Sequence, residues 1–297
     1  MFPVFVDNNF ENKIFEATAE EYHLIKDATH SGSLVHMLKS PYAYKFFLEH
    51  KKEATKPMKF GSLVHAVILE GWDYFKKNYV VQPVFEGYTL KGVKTTSMNC
   101  KDVKDQYDYW FSNLSPGAKV CTQEDVDKMS FMLDSVLTHK FAKDILTDGF
   151  PEHKIQWRDP ITGIKSVCSN DFVSYRNDIW ADVKTTPSSD WYDFRRTVEN
   201  LNLPFQAAKY NLGLKEVHGK EIGDKVWISI ESQAPYEVRV HYVDPYYLEV
   251  GEKQVRTAMK DLSYCLKNNV WDQSQLIIES GEPSPWYRNK NDLILEQ

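Results

Sequence analysis

The residues with the clearest capacity for chemistry lie on two predicted neighbouring strands. Asp182 and Lys184 are two positions apart in an alternating run, so their side chains leave the same face of the strand. If the preceding hairpin is symmetric about its turn at residues 176–177, Asp171 lies directly opposite Asp182. Two carboxylates about 5 Å apart repel each other unless a cation offsets them, and hard oxygen ligands suit Mg²⁺ or Mn²⁺. The spacing therefore predicts a divalent-metal site, where Lys184 orients or activates a water or stabilises charge on a phosphate.

Two helical motifs could extend this site. Gln206 and Tyr210 are four positions apart and so share one face of a helix. The amide can fix a water or a carboxylate, and the tyrosine can reach a phosphate or stack on a base. His65 follows Gly61 by about one helical turn, and the glycine permits close packing. A neutral imidazole at position 65 could be a third metal ligand.

Each motif alone has a simpler interpretation. An Asp-x-Lys on a strand is usually a surface ion pair, and a histidine on an apolar helix is more often a satisfied core residue. Gln206 and Tyr210 alone would be ordinary helix-surface residues, and Cys168 fits packing. The basic segment, residues 39–77, would normally be a solvated face. The order in which these features occur together favours the metal site.

The elements that must position these residues change in type along the chain. The pattern predicts a mainly helical N-terminal part over residues 1–150, a sheet core over residues 151–243, and a C-terminal helix and tail over residues 244–297. Together they predict one α/β (α+β) domain with a central mixed sheet flanked by helices. The predicted helices cover residues 41–53, 58–70, 101–114, 122–138, 190–199, 246–267 and a stretch that opens at Pro204; the predicted strands cover residues 153–159, 164–175, 179–186, 225–232 and 236–244.

Composition limits the class of protein. The chain has 297 residues, 42% apolar residues and a net charge of −6, which is typical of a globular protein and argues against binding nucleic acid by bulk positive charge. The sequence shows no CxxC pair, no signal peptide and no apolar run of membrane-spanning length. We therefore expect a cytoplasmic protein with no membrane contact. Eight lysines against four acids make residues 39–77 a local basic segment of +4, to which Arg195, Arg196 and Lys209 could add.

The joint order of motifs resembles the PD-(D/E)XK nuclease superfamily in its RecB-like branch. A G-x-x-x-H on a helix is followed by an aspartate, then D-V-K, then Q-x-x-x-Y. The local sequence is most similar to the exonuclease VIII (RecE-type) family of phage and prophage nucleases, over residues 30–215. The segments that carry this resemblance are SGSLVHMLKSPYAYKFF, MKFGSLVHAVILE, ITGIKSVCSND, IWADVKTT and LPFQAAKYNLGL. The resemblance implies a PD-(D/E)XK core with an N-terminal helical layer.

The resemblance also implies roles for single residues. Lys184 would be the catalytic lysine, Gln206 and Tyr210 would support the site and the DNA end, and Glu152 would be an auxiliary acid. At one position the sequence departs from the family, because Ser169 stands where an arginine is common, which puts a phosphate or structural contact in doubt. The implied metal ligands are His65, Asp171, Asp182 and the Val183 carbonyl. Cys265 is the only late cysteine, so no iron-sulfur cluster is expected.

The implied activity is metal-assisted hydrolysis of DNA. The resemblance suggests a Mg²⁺-dependent exonuclease, with Mn²⁺ able to substitute, that acts 5′ to 3′ on linear double-stranded ends during phage-type recombination. It further implies a single-strand annealing partner of RecT type and a homo-oligomeric ring such as a tetramer. Two alternatives remain open: a non-catalytic DNA-end-binding or assembly module, and a site-specific endonuclease. The tail over residues 271–297 is acidic.

Overall fold

The molecule is built from helices packed on a central sheet. The structure is a computed structural model that describes residues 10–50 and 53–271 together with Glu282 and Pro285. The strands are β1 (Lys13–Ile14), β2 (Tyr79–Val81), β3 (Gly87–Tyr88), β4 (Lys94–Thr95), β5 (Lys119–Cys121), β6 (Phe150–Arg158), β7 (Lys165–Ser174), β8 (Ile179–Thr186), β9 (Asp224–Glu231) and β10 (Val238–Tyr242). The helices are α1 (Ala19–Leu24), α2 (Ser31–Leu34), α3 (Pro41–Glu49), α4 (Lys56–Leu69), α5 (Gly71–Asn78), α6 (Lys101–Ser112), α7 (Gln123–Thr138), α8 (Lys140–Ile145), α9 (Trp191–Asn200), α10 (Leu203–His218) and α11 (Pro245–Asn268), with a 3₁₀ turn at Val35–Leu38.

The main sheet is mixed, as the sequence predicts. Its order in the described part of the chain is β1-β6-β7-β8-β9-β10. Neighbouring strands are antiparallel except for β8 and β9, which run parallel and are joined through α9 and α10. The edge strand β1 was not predicted, and it brings the N-terminal segment into the same sheet as the predicted core.

Helix ends follow the predicted capping residues. The Ser40 side chain accepts a hydrogen bond from Ala43 N at 3.0 Å, and Thr122 forms a reciprocal capping box with Asp125. Gly71 follows the end of α4 with φ of 85°, a left-handed conformation that glycine adopts at low cost. The first predicted long helix is shorter than expected, because α3 ends at Glu49 rather than at residue 53.

Each face of the sheet is covered by its own set of helices. On one face, Val64 of α4 and Met132 of α7 pack against Ala181, Val183 and Ile228. On the opposite face, α9 and α10 cover the sheet; the buried residues of that cluster include Phe194, Val198, Ala207, Leu214, Trp180 and Trp227. The sheet is therefore buried on both sides, which places its polar residues in a water-poor environment.

A further layer packs outside α10. Phe205 and Leu212 of α10 contact Leu34 of α2 and Met259 of α11 in a third buried cluster. Residues after Trp271, which include most of the predicted acidic tail, lie outside the described residues apart from Glu282 and Pro285. Among the described helices none combines the length and the apolar character that a membrane crossing requires.

Candidate metal centre

The two strands that carry the predicted carboxylates pair only over a short distance. Phe172 pairs with Ala181, and Ser174 pairs with Ile179, which is the register of the symmetric hairpin. The recorded pairing stops just before the expected opposition of Asp171 and Asp182. There, Asp171 Oδ2 accepts a hydrogen bond from Val183 N at 2.8 Å. A side chain thus replaces a main-chain acceptor, and the strands β7 and β8 part at this point.

The backbone is irregular on the other side of Asp171 as well. The pairing of β6 with β7 runs through Pro151 and His153 but leaves out Glu152, whose φ of 46° is left-handed. Cys168 and Val173 pack in the same core cluster although they are five positions apart, so the alternation of side chains is broken between them. Non-glycine residues seldom adopt the left-handed conformation, and those that do are often found at functional sites. This irregularity directs side chains of β6 and β7 toward the gap at which β7 and β8 part.

Asp182 and Lys184 form the buried ion pair of this gap. Asp182 is fully buried, and its Oδ2 lies 2.6 Å from Lys184 Nζ. Lys184 Nζ also lies 3.9 Å from Asp171 Oδ2 and 3.5 Å from the Val183 carbonyl. Burial raises the pKa of the Asp182 carboxyl above its ordinary value, against the effect of Lys184. Burial alone would lower the pKa of Lys184, but the Asp182 and Asp171 carboxylates outweigh it, and the pKa is raised.

His65 reaches the gap from α4. Its Nε2 lies 2.9 Å from the Val183 carbonyl and 3.8 Å from Asp171 Oδ2. The structure therefore brings together His65, Asp171 and the Val183 carbonyl, as the resemblance implies. The expected role of Gly61 is weaker than predicted: a Cβ there would lie 3.5 Å from Thr185 Oγ1, an ordinary contact, so close packing does not require the glycine.

Glu152 completes a cluster of candidate ligands. The ligand atoms of His65, Glu152 and Asp171 lie within 4.8 Å of one another. Ser169, at the position where the family often has arginine, donates a hydrogen bond to Glu152 Oε2 at 2.9 Å. The serine therefore orients an acid of the cluster. Lys154 Nζ adds a contact of 3.6 Å to the same carboxylate oxygen.

The cluster has the donor set and the spacing for a divalent cation. Asp182, a predicted ligand, is not one of the three residues of this cluster. Among the described residues its Oδ1 is buried and has no hydrogen-bond partner, which leaves a desolvated acceptor beside the cluster that a cation would satisfy. The contact of 2.9 Å between His65 Nε2 and the Val183 carbonyl is a hydrogen bond that the imidazole donates, so Nε2 must give up this proton before it can bind a cation. Carboxylate and carbonyl oxygens favour Mg²⁺ or Mn²⁺, and the imidazole also suits heavier divalent ions.

Gln206 and Tyr210 lie on one face of α10, as predicted. Gln206 Nε2 donates a hydrogen bond to the Tyr210 hydroxyl at 3.2 Å, and Ser31 Oγ lies 3.5 Å from the same oxygen. The Tyr210 ring is buried and packs edge-on against Trp180, so the alternative in which it stacks on a base is wrong. Burial also raises the pKa of Tyr210, which keeps the hydroxyl protonated. Tyr210 therefore positions Gln206.

Lys209 does not contribute to a DNA-binding surface, and that prediction is wrong. Its side chain is fully buried, and Nζ donates hydrogen bonds of 3.0 Å to the carbonyls of Thr29 and Val167. The ammonium lies 4.7 Å from the ring centroid of Trp157. Lys209 thus ties α10 to β7 and to the segment before α2.

Arg195 and Arg196 are exposed on α9, where both guanidinium groups lie over the ring of Tyr192. Their contact with DNA stays a prediction. In the basic segment, Lys39, Lys56 and Lys59 are exposed, so positive charge is available at the surface on either side of α3.

Sequence reasoning missed two contacts of the predicted site residues. Ser31 contacts Tyr210 across 179 positions of sequence, and no local pattern indicates such a contact. The hydrogen bond from Ser169 to Glu152 could have been found from the strand pairing, because both residues lie on neighbouring antiparallel strands. The absence of the family arginine drew attention to position 169, but the sequence indicated only the loss of a phosphate or structural contact.

Comparison with known proteins agrees with this architecture. The sequence matches the model of a family described as "PDDEXK-like domain of unknown function (DUF3799)" over residues 30–278. No protein with a curated description matches the sequence. The chain is similar to the crystal structure of a predicted exonuclease from Eubacterium rectale, with a TM-score of 0.57 and 15% identity over 94% of this chain and 98% of that chain. At this identity the similarity concerns the fold alone, and it is the family match that confirms the predicted PD-(D/E)XK architecture.

Proposed function

This chain belongs to the PDDEXK-like domain family, and we propose that it is a divalent-metal-dependent exodeoxyribonuclease that degrades linear double-stranded DNA from its ends. The observation that carries the proposal is the cluster of His65, Glu152 and Asp171, whose ligand atoms lie within 4.8 Å of one another. It adjoins the buried pair of Asp182 and Lys184. Mg²⁺ is the proposed ion, with Mn²⁺ as a substitute, because most of the donors are oxygen atoms.

The protein side chains have separable tasks in phosphodiester hydrolysis. A divalent ion bound by His65, Asp171, Asp182 and the Val183 carbonyl would supply Lewis acidity and a water of lowered pKa. Lys184 keeps its proton, because two carboxylates hold it in the charged form. Its ammonium can therefore stabilise the negative charge that develops on the phosphate in the transition state.

Gln206 provides a further polar contact at the site. Its amide nitrogen is engaged by the Tyr210 hydroxyl, which leaves the amide oxygen as an acceptor for a water. Such an acceptor fixes the orientation of an attacking water, and orientation contributes to rate because it removes an entropic cost. Asp171 is itself oriented by the Val183 amide.

The biological setting is proposed from the resemblance to RecE-type nucleases. That resemblance supports digestion in the 5′ to 3′ direction, recombination of phage type, a RecT-type annealing partner and a ring of identical subunits in the cytoplasm. The annealing partner can be tested by co-purification, and the ring by measurement of mass in solution. A protein that is monomeric at all concentrations would remove the ring.

The proposed activity is tested by digestion of DNA in Mg²⁺, Mn²⁺ or EDTA. We expect metal-dependent loss of linear duplex DNA, no loss of closed circular DNA, and earlier release of a 5′ label than of a 3′ label. Asp182→Ala and Lys184→Ala should abolish digestion, whereas Asp193→Ala, which changes an exposed acid on α9, should not. Equal digestion by wild type and Asp182→Ala would overturn the assigned centre. Cutting of closed circles would favour a site-specific endonuclease, and DNA binding without digestion would favour a non-catalytic end-binding module.

A further inference from the structure

The helix α3 has an inner and an outer face of different character. On the inner face, Tyr44 is buried and stacks on Trp271 with ring centroids 6.3 Å apart. On the outer face, Tyr42 is 50% exposed, Phe46 is 47% exposed, and His50 follows at the next turn. Residues four positions apart lie above one another on a helix. The outer face is therefore a ladder of three aromatic side chains that the core does not require.

The rings of this aromatic ladder are already ordered. The Phe46 and His50 rings are stacked, with centroids 4.1 Å apart and an interplanar angle of 14°. The Tyr42 and Phe46 centroids are 6.4 Å apart at 34°. His50 Nδ1 also lies 3.1 Å from the Phe46 carbonyl, which restrains the last ring. Little side-chain entropy is then lost when a flat ligand stacks on the ladder.

The sequence that carries the aromatic ladder is basic. Residues 39–59 contain six lysines and two glutamates, a net charge of +4. Lys39, Lys56 and Lys59 are exposed, and Lys51 and Lys52 lie outside the described residues. A second group of exposed aromatic residues, Tyr109 and Phe111 on α6, lies on a helix with two lysines and three aspartates. Aromatic rings among positive charges are the usual means of binding single-stranded nucleic acid, since bases stack on the rings and cations attract the phosphates. The helix α3 itself has one lysine and one glutamate, so its positive charge comes from the flanking residues. Residues 99–119, a stretch of the same length around α6, have three lysines and three aspartates, so only the α3 segment combines both features.

The chain path connects the aromatic ladder with the metal centre. The segment begins at Ser31, whose hydroxyl contacts Tyr210, and it reaches the centre at His65, which lies 3.8 Å from Asp171. The helix α3 lies between these two points in the sequence and packs against α2 through the third buried cluster. The helix α3 thus belongs to the same segment of chain that supplies His65 to the centre.

We propose that Tyr42, Phe46 and His50 form a stacking surface for unpaired nucleotides of single-stranded DNA. The inference rests on the proposed function in taking DNA as the ligand, and it adds that the enzyme binds an unpaired strand of its substrate as well as the duplex. Stacking is tolerant of sequence because every base has a flat face. The surface therefore suits an enzyme that moves along DNA without sequence preference.

Equilibrium binding in EDTA tests this inference without cleavage. The probes are a fluorescein-labelled oligothymidylate of about 12 nucleotides, within the usual range of site sizes, and a blunt duplex. The double variant Tyr42→Ala/Phe46→Ala should bind oligothymidylate at least tenfold more weakly, since each lost stacking ring typically costs about tenfold. Its affinity for the blunt duplex should change by less than about twofold, within the range of surface substitutions. Tyr42→Phe keeps the ring and should bind as wild type.

The matched control is Tyr109→Ala/Phe111→Ala, which removes two exposed rings from α6 and should leave both affinities unchanged. Unchanged affinity of the α3 double variant for oligothymidylate would overturn the inference. So would equal loss for both probes, or equal loss in the control. A change in oligomeric state with unchanged DNA binding would identify the ladder as a protein interface instead. If the wild type binds oligothymidylate tightly but shows no metal-dependent digestion, the proposed function is overturned and the stacking surface is retained. If the wild type digests DNA but the α3 double variant binds oligothymidylate as the wild type does, only the stacking surface is overturned.

Discussion

Replacement of Asp182 by asparagine separates the metal-holding role of this residue from its packing role. The two side chains have the same shape, and Asp182 is fully buried. Without metal, the variant is destabilised because it loses the ion pair of 2.6 Å with Lys184. It is also stabilised, because it no longer buries a negative charge that Asp171 repels. Lys184 retains Asp171 Oδ2 at 3.9 Å. We therefore expect the free energy of unfolding in EDTA to change by about 1 kcal/mol, less than the loss of a sole partner would cost.

The effect of metal on stability should differ sharply between the two proteins. At a hundredfold excess of Mg²⁺ over its dissociation constant, binding stabilises the wild type by about 2.7 kcal/mol. For a domain of this size each kcal/mol raises Tm by about 2–4 °C, so Mg²⁺ should raise the wild-type Tm by about 5–10 °C. The Asp182→Asn variant lacks the charged ligand whose Oδ1 has no protein partner. Its Tm should rise by less than about 2 °C, since a neutral amide is a weaker ligand for Mg²⁺.

Thermal unfolding at constant ionic strength, with and without Mg²⁺, measures this difference. The control is Asp193→Asn, which neutralises an exposed acid on α9 and should respond to Mg²⁺ as the wild type does. Digestion of linear duplex should fall by about 10³-fold in Asp182→Asn, because the bound ion contributes several kcal/mol of transition-state stabilisation. An equal Mg²⁺-induced rise in Tm for wild type and Asp182→Asn would refute the assignment of this carboxylate as a ligand.

Three further substitutions test the supporting structure. Ser169→Ala removes the hydrogen bond of 2.9 Å to Glu152; groups that orient a ligand typically contribute 10–100-fold, so calorimetry should show about tenfold weaker Mg²⁺ affinity. Burial lowers the pKa of Lys209 to about 8, so the unfolded chain holds this proton up to a higher pH than the folded protein does. Between pH 8 and about 10.4 the stability of wild type should therefore rise by up to about 3 kcal/mol relative to Lys209→Met, measured by urea unfolding. Gly213→Ala places a Cβ 2.6 Å from the Trp157 ring and should cost about 1–3 kcal/mol in urea unfolding.

Each of these predictions has a matched control on the same chain. Ser112→Ala removes an exposed hydroxyl and should leave Mg²⁺ affinity unchanged, and Lys215→Met removes an exposed lysine from α10 and should leave the pH dependence unchanged. Gly32→Ala adds a Cβ that meets no atom within 4 Å and should have little effect on stability. Normal Mg²⁺ affinity in Ser169→Ala, a flat stability difference between wild type and Lys209→Met, or full stability of Gly213→Ala would contradict the corresponding argument.

The parts of the centre that were predicted from sequence depend on local geometry. The register of β7 and β8 follows from a short turn and a period of two, so the proximity of Asp171 to the strand of Asp182 could be read directly. The contact of Gln206 with Tyr210 follows from helical spacing alone. Both relations depend on local backbone geometry and not on the remainder of the fold.

The parts that were missed depend on residues far apart in sequence. The pairing of β1 with β6 joins Ile14 to Ile155, and two residues of strand are too short to show alternation. The left-handed backbone at Glu152 is fixed by the surrounding sheet, because the residue type itself does not favour it. Local patterns carry no information about such long-range constraints.

Lys209 was misjudged because lysine is usually exposed. Ten of the sixteen residues of its helix are buried, and Phe205 and Gly213, one turn to either side of Lys209, are among them. The spacing of these apolar positions was a signal that Lys209 faces the interior. The sequence offered no sign of the two carbonyls that compensate its charge.

The contact between Ser31 and Tyr210 has a consequence for the timing of synthesis. These residues are 179 positions apart, and β8, which carries Asp182, is held on one side by β9, which ends at Glu231. A chain emerging from the ribosome can form its early helices, but it cannot close the metal centre until β9 has been translated. Fragments released before that point contain the residues of the centre but lack the strand that pairs with β8 along its length. The support of the strand that carries Asp182 is therefore completed late in synthesis.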